Sequence, residues 1–319
     1  MDGAGCWSDY SGRRVIVSGC SSGIGRATAA RLLDLGAEVH GLDLKACHLP
    51  LKSFARVDLR DVTTIDSAIQ SIGGQVDALF NCAGIAPGPS PMDVVKVNFI
   101  GPKHLTEQVL PLMRRGAAIV NVASTCGADW TRRTSLLQQF VELGAFDDEV
   151  AWCAERPDVL ADGYRFSKEA LIVWTLSSAP QLIKRGVRMN CTSPGVVQTP
   201  LLEDFTQSRS GAAIEAVEQP IGRRSSPEEQ ALPLMFLNSR AASFINGVDL
   251  TVDGGCMAMA ALTGREVWPR LQPGAAFEQA AESRPLEAGR RLELSATRGR
   301  SRRRTRRIFW SSPTAIEIA

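Results

Sequence analysis

The chain has 319 residues, 44% of them hydrophobic, and 36 basic against 34 acidic side chains give a formal net charge of +2. That length accommodates one large domain or two small ones with an ample core. The positive sign comes from the last stretch, where 12 Arg stand against 6 Glu from Gly264 onward. The body ahead of it is mildly acidic, which excludes a broadly basic nucleic-acid-binding domain.

In chain order, residues 1–12 are small and polar and read as a loose lead-in. Residues 13–18 (Arg-Arg-Val-Ile-Val-Ser) form a short buried strand, a glycine-rich turn follows, and 26–35 have helical spacing. Strands are predicted at 38–42 and 54–57, closing on Asp43 and Asp58. Next come a helix over 63–72, a strand over 78–81, one long helix over 94–113 and a strand over 118–122. The segment 129–163 has no strand signal but has helical spacing at 135–143 and 147–154. A helix from 164 to about 184 and strands at 187–191 and 249–252 complete the pattern. Strands alternating with helices predict an α/β fold, a doubly wound parallel sheet of Rossmann type with right-handed crossovers, over 13–263. Beyond 264 periodicity is lost, and 298–307 hold seven Arg in ten positions; a disordered basic tail is expected over 264–319.

Eight cysteines lie at 6, 20, 47, 82, 126, 153, 191 and 256, with no C-x-x-C pair and no clustering with the three histidines. Neither a metal site nor a disulfide framework is expected, and reduced thiols fit a cytoplasmic setting. No apolar run approaches the roughly 20 residues that span a bilayer, so no membrane partner is expected.

Gly19-Cys20-Ser21-Ser22-Gly23-Ile24-Gly25 follows the first strand and opens the first helix. Glycines there let backbone N–H groups approach a pyrophosphate at the positive end of a helix. Asp43 ends the second strand eighteen residues past Gly25, where a carboxylate accepts ribose hydroxyls and repels a 2′-phosphate. This favours NAD over NADP, although Lys45 softens the repulsion.

At this point the chain resembles the short-chain dehydrogenase/reductase family. The residues that carry the resemblance are Ser18 with the glycine loop, Asn81-Cys82-Ala83-Gly84, Asn98, Ser124, Tyr164-x-x-x-Lys168, Pro194-Gly195 with Thr199, and Asp253-Gly254-Gly255. Ser18 stands where the family usually has Thr, and Cys82 where it has Asn. Within the family, 127–130, 164–174 and 187–200 are similar to the bacterial coniferyl-alcohol dehydrogenase group, and the bacterial 3α-hydroxysteroid dehydrogenase/carbonyl reductase group is similar in its long insert before the Tyr. The resemblance implies NAD as cofactor, held by Gly19, Ser21, Ser22, Gly23, Ile24, Gly25, Asp43, Asp58, Leu59, Asn81, Ala83, Gly84, Tyr164, Lys168, Pro194, Gly195, Val197 and Thr199. It implies Asn98, Ser124, Tyr164 and Lys168 as catalytic residues, with Asn98 holding a relay water and Lys168 gripping the nicotinamide ribose. A small-molecule alcohol or carbonyl substrate and a homo-oligomer, dimer or tetramer, complete the expectation.

The chemistry explains the residue types. Oxidising an alcohol removes its O–H proton while a hydride leaves carbon. A tyrosine with a pKa of about 10 is a poor base near neutrality unless an ammonium stabilises its phenolate. Tyr164 and Lys168, four apart, share one face of a helix. Ser124 at a strand end would hydrogen-bond the substrate oxygen as charge develops. Taken singly these residues are unremarkable; Y-x-x-x-K is a common exposed helix pattern. Their order after a phosphate cradle makes the case, and Tyr10 is the only other tyrosine.

Ser124 and Tyr164 are forty positions apart, longer than is usual in the family. The insert, 129–163, is expected to be a helical lid whose Trp130, Leu136, Leu137, Phe140, Leu143, Phe146 and Trp152 meet a ring-bearing substrate; the alternative is that they pack the insert on the body. The function expected is oxidation of an aromatic, cinnamyl-type alcohol, with a hydroxysteroid or carbonyl reductase as the alternative. A non-enzyme NAD sensor, or a nucleic-acid binder acting through the basic tail, is the reading outside catalysis.

Overall fold

The computed structural model describes residues 8–88, 90–207, 217, 219–264 and 267–268, all within the unit Met1–Gly274. The basic tail expected beyond 264 lies outside the described residues except for Gly264, Val267 and Trp268.

Seven parallel strands form one sheet: β1 (Arg14–Ser18), β2 (Glu38–Asp43), β3 (Ser53–Arg56), β4 (Val76–Asn81), β5 (Met113–Val122), β6 (Arg188–Pro194) and β7 (Asp249–Val252), in the order β3-β2-β1-β4-β5-β6-β7. Successive side chains leave a strand on opposite faces. Val15 and Val17 of β1 therefore join Phe80, Val120, Leu234 and Met235 on one side, while Ile16 joins Leu79, Ile119, Phe99 and Ile172 on the other. Both faces are dry, as an all-parallel sheet requires. The helices that cover it include α1 (Gly23–Asp34) on the first side and α2 (Val62–Ile72) and α4 (Gly101–Val109) on the second.

Several expectations change. The single helix expected over 94–113 is α3 (Pro91–Val95), a π-helical turn (Lys96–Ile100) and α4, and Met113 already belongs to β5. The chain closes α4 with a tight turn at Leu110–Leu112 and becomes extended at Met113. The sheet order inverts between β1 and β4, so the C-terminal tips of β1, β4, β5 and β6 open a crevice of the kind that takes ligands in doubly wound sheets.

The lead-in is not loose where it is described. Tyr10 is fully buried, its hydroxyl donates to Met235 O at 2.6 Å, and its ring lies 6.4 Å from that of Phe80. Met235 belongs to a helix over Pro227–Asn238 that is absent from the expected elements. Its start was legible: Ser226 and Glu229 form a reciprocal capping box.

The insert consists of a 3₁₀ stretch (Thr125–Arg133), α5 (Thr134–Val141), α6 (Phe146–Ala154) and α7 (Pro157–Leu160), ahead of α8 (Gly163–Leu182). Leu137 and Phe140 are fully buried, and Phe140 lies 4.9 Å from the rings of both Trp152 and Phe166. Leu137 and Phe140 are thus part of the core, while Trp130, Leu136, Leu143, Phe146 and Trp152 pack on it and stay partly exposed. Lys103 of α4 pins the insert from below, donating to Glu149 Oε1 at 2.6 Å, to Val141 O at 3.1 Å and to Leu143 O.

Candidate active site

The glycine loop is shaped by contacts that forbid side chains. Gly19 has φ +73°, and a Cβ there would lie 2.8 Å from the backbone of Ala83. A Cβ on Gly25 would lie 2.2 Å from Gly19 O. The helix that follows starts at Gly23 behind an exposed Ser22, whose side chain caps nothing. Its first amides therefore keep the polarity that attracts an anion. Ser21 Oγ is buried without a hydrogen-bond partner. Ser18 Oγ accepts from the N–H of Cys82 at 3.2 Å and of Ala83 at 3.3 Å, tying the tip of β1 to the turn after β4. On the far side, Thr199 closes on the loop: its methyl would stand 3.3 Å from a Cβ on Gly23.

Asp43 ends β2. Its two carboxylate oxygens accept the backbone N–H of Ser21 and of Lys45, each at 2.9 Å, and a carboxylate keeps further lone pairs for a hydroxyl. Asp58 is placed differently. Its carboxylate is held by Arg60 at 2.6 Å, which keeps it below the usual carboxylate range, and Arg60 also reaches Asp93 at 3.3 Å. Leu59 is buried, with its carbonyl against Gly101. Asn81 is buried, and its Nδ2 donates to Thr106 Oγ1 at 2.9 Å and to Asn121 Oδ1 at 2.8 Å in a network between the sheet and α4. Pro194 O accepts from Thr125 Oγ1 at 3.2 Å, Gly195 N–H donates to Val252 O at 3.1 Å, and Val197 pairs with Ser225.

The four expected catalytic residues converge. Lys168, one turn into α8, is buried, and its Nζ donates to Val122 O at the end of β5 at 2.8 Å. It lies 5.6 Å from the centre of the Tyr164 ring. The Tyr164 phenol is hydrogen-bonded to Ser124. A Cβ on Gly84 would lie 3.2 Å from Asn98 Oδ1 and 3.8 Å from Lys168 Nζ. Asn98, in the π turn, accepts from Ile85 N–H at 2.8 Å and donates to Ile85 O at 3.0 Å. Both ends of its amide therefore fasten the loop after β4. Such π turns recur at functional sites because they displace one backbone group from the helical ladder.

The electrostatics depart from the sequence argument. Burial pushes the Tyr164 phenol above its ordinary range, and the neighbouring Cys126 thiol adds to this; the Ser124 hydrogen bond pulls the other way. Lys168 Nζ donates to Val122 O and lies 5.6 Å from the centre of the Tyr164 ring, and burial dominates the balance at the phenol. Burial lowers its own ammonium to about 8, with the thiols of Cys126, Cys82 and Cys191 opposing that drop. As the chain stands, Tyr164 is a protonated phenol beside a largely charged lysine at neutral pH.

Three residues of the rim were not singled out from the sequence. Thr125 follows Ser124, Arg165 follows Tyr164, and Trp268 meets both: its Nε1 donates to Thr125 Oγ1 at 3.1 Å, and its carbonyl accepts from Arg165 Nη2 at 2.7 Å. Adjacency to motif residues was the available signal for the first two; nothing local marks Trp268.

Among the described residues no group of His, Cys, Asp and Glu could hold a metal ion, and no helix is long and apolar enough to cross a membrane.

Comparison with known proteins agrees with this arrangement. Residues 13–135 match the short chain dehydrogenase family profile, and 156–257 match a related profile described as enoyl-(acyl carrier protein) reductase. The chain is 37% identical to coniferyl-alcohol dehydrogenase of Pseudomonas sp. (strain HR199 / DSM 7063), over 76% of this chain and 96% of that protein. It is 31% identical to 3-alpha-hydroxysteroid dehydrogenase/carbonyl reductase of Comamonas testosteroni, over 77% and 96%. Among solved structures it superposes on the 3-alpha-hydroxysteroid dehydrogenase from Pseudomonas sp. B-0831 complexed with NADH, with a TM-score of 0.66 and 30% identity over 78% of this chain and 98% of that one. The family profile, these identities and the superposed sheet lead to one assignment: the chain belongs to the short-chain dehydrogenase/reductase family of oxidoreductases.

Proposed function

We propose that the protein is an NAD-dependent alcohol dehydrogenase that interconverts an aromatic, cinnamyl-type alcohol such as coniferyl alcohol and its aldehyde. The observation that carries the reading is the Tyr164 phenol hydrogen-bonded to Ser124 with Lys168 Nζ over its ring, at the strand tips beside the glycine loop. The dinucleotide fits the residues present. A cradle that a Cβ would fill, an orphaned Ser21 hydroxyl and an acidic Asp43 at the end of β2 suit a diphosphate and an unphosphorylated ribose. Gly19, Ser21, Ser22, Gly23, Ile24 and Gly25 would hold the diphosphate, and Pro194, Gly195, Val197 and Thr199 the nicotinamide end. When bound, NAD supplies the hydride acceptor.

The chain's own residues handle the proton. Ser124 donates a hydrogen bond to the substrate oxygen, and Tyr164 exchanges a proton with it. The protonated phenol described above is ready to donate to a carbonyl oxygen. In the oxidising direction the charge on Lys168 steadies the phenolate that Tyr164 must become. Asn98 braces the loop that carries Gly84 against Lys168.

Similarity to the coniferyl-alcohol enzyme favours an aromatic primary alcohol, and superposition on the hydroxysteroid enzyme supplies the second reading. The reading carries with it a homo-oligomer, dimer or tetramer, in the reducing cytoplasm. The test is a panel of coniferyl alcohol, benzyl alcohol and a 3α-hydroxysteroid, assayed with NAD and with NADP at the NADH band. Coniferyl alcohol with NAD is expected to give the highest kcat/KM; preference for the steroid would replace the first reading with the second. Tyr164→Phe should lower turnover ~10²–10⁴-fold while the Kd for NAD stays within about threefold. Turnover retained in that variant would remove Tyr164 as the proton-transfer group.

A further inference from the structure

We infer that Trp268 is a specificity-determining residue, forming with its indole a wall of the substrate site that receives the substrate's ring. The inference rests on the oxidoreductase reading above and adds the residue that selects the substrate.

The argument begins with the attachments of Trp268. Its side chain donates to Thr125, and its backbone accepts from Arg165. These are the residues directly after Ser124 and Tyr164, so Trp268 is tied through its indole to the neighbour of one and through its backbone to the neighbour of the other. Arg165 is itself immobilised, buried and paired with Asp162 at 3.3 Å and Asp129 at 3.8 Å. Thr125 is held in turn by its donation to Pro194 O. The ring packs on Val196 and Leu202, in the chain that leaves β6. It thus bridges the Ser124 side of the crevice and the loop beyond β6.

Trp268 is only half-buried, although it carries a polar N–H that already has its acceptor. A half-open indole with its donor satisfied offers an apolar face, and offset or edge contact with another ring favours an aromatic ligand over an aliphatic one. Leu137 and Phe140 of the insert face the core and offer no such surface.

The experiment compares the full-length wild type with Trp268→Ala and Trp268→Phe. Steady-state kinetics with NAD use cinnamyl alcohol and 1-propanol, and equilibrium dialysis of cinnamaldehyde reads ring binding without turnover. Trp268→Ala is expected to raise KM for cinnamyl alcohol and Kd for cinnamaldehyde about tenfold or more, with kcat and the 1-propanol parameters little changed. Trp268→Phe, which keeps a ring, should recover most of the affinity. Equal losses on both alcohols, shared by the Phe variant along with a lowered unfolding temperature, would overturn the inference in favour of a packing role. Unchanged KM and Kd in Trp268→Ala would also overturn it, leaving the dehydrogenase reading intact. A wild type that binds the aldehyde through Trp268 yet oxidises neither alcohol would support the inference while removing the proposed activity. A wild type that neither binds nor reacts would end both.

Discussion

The two ends of the crevice are built by opposite means. At the nucleotide end, the shape comes from one short stretch of chain, Gly19 to Gly25, and works through what is missing: side chains that would meet backbone at 2.8 Å and 2.2 Å. At the substrate end, the shape comes from side chains that are present and reach across the sequence. Trp268 bonds to Thr125, 143 residues away, and to Arg165, 103 residues away. A common cofactor is served by a local, rigid device, whereas selectivity is assembled from distant pieces that can change independently.

Gly25→Ala should be the strongest blow to the first end. A Cβ 2.2 Å from Gly19 O forces the loop backbone to move. Calorimetry should show NAD affinity falling by at least about 100-fold, with about 1–3 kcal/mol of stability lost to overpacking. Wild-type affinity in that variant would mean the loop is not shaped by this contact. Asp43→Asn is milder, since the amide retains an acceptor but loses charge. The Kd for NAD should rise about tenfold or more, and discrimination against NADP should narrow, as expected for a charge-assisted hydrogen bond. An unaltered NAD/NADP ratio would remove Asp43 as the discriminator.

The smallest effect lies beneath the insert, outside both ends, and should leave NAD binding untouched. Burial raises the Glu149 carboxyl to about 7, against an ordinary value of 4.5, despite the Lys103 ammonium beside it. Between those values the folded chain keeps a proton that the unfolded chain has released. This group's contribution therefore makes stability fall as pH rises across that window, by at most about 1.4 kcal/mol per pH unit. Glu149→Gln should flatten that part of the stability profile in denaturant titrations at pH 5, 6 and 7. A profile with unchanged slope would contradict the raised value.

The same division decides what was readable in the chain. The glycine loop, Asp43, and the Tyr164–Lys168 pair were legible because turn chemistry and helix spacing are local properties. The alternation of strands and helices disclosed the sheet, since fully buried parallel strands must be apolar throughout. The break at Lys96–Ile100 was not legible, because a π turn keeps the apolar spacing of the helix around it. The roles of the insert's rings were not legible either: Phe140 looks the same in sequence whether it faces a substrate or Phe166, and the partners that decide it lie on other helices. The burial that raises the Tyr164 phenol was not legible either, for a related reason. Four-residue spacing places Lys168 near the phenol but does not reveal that Val122 O claims its ammonium.

Tyr10 has a practical bearing on how the chain is handled. It is fully enclosed and bonded to Met235, although every motif of the family lies beyond it. Trimming the protein to start where the motifs start, at Arg13, would pull a phenol out from beneath Phe80 and leave a ring-sized void. Affinity tags and shortened versions should therefore keep everything from Ser8 onward.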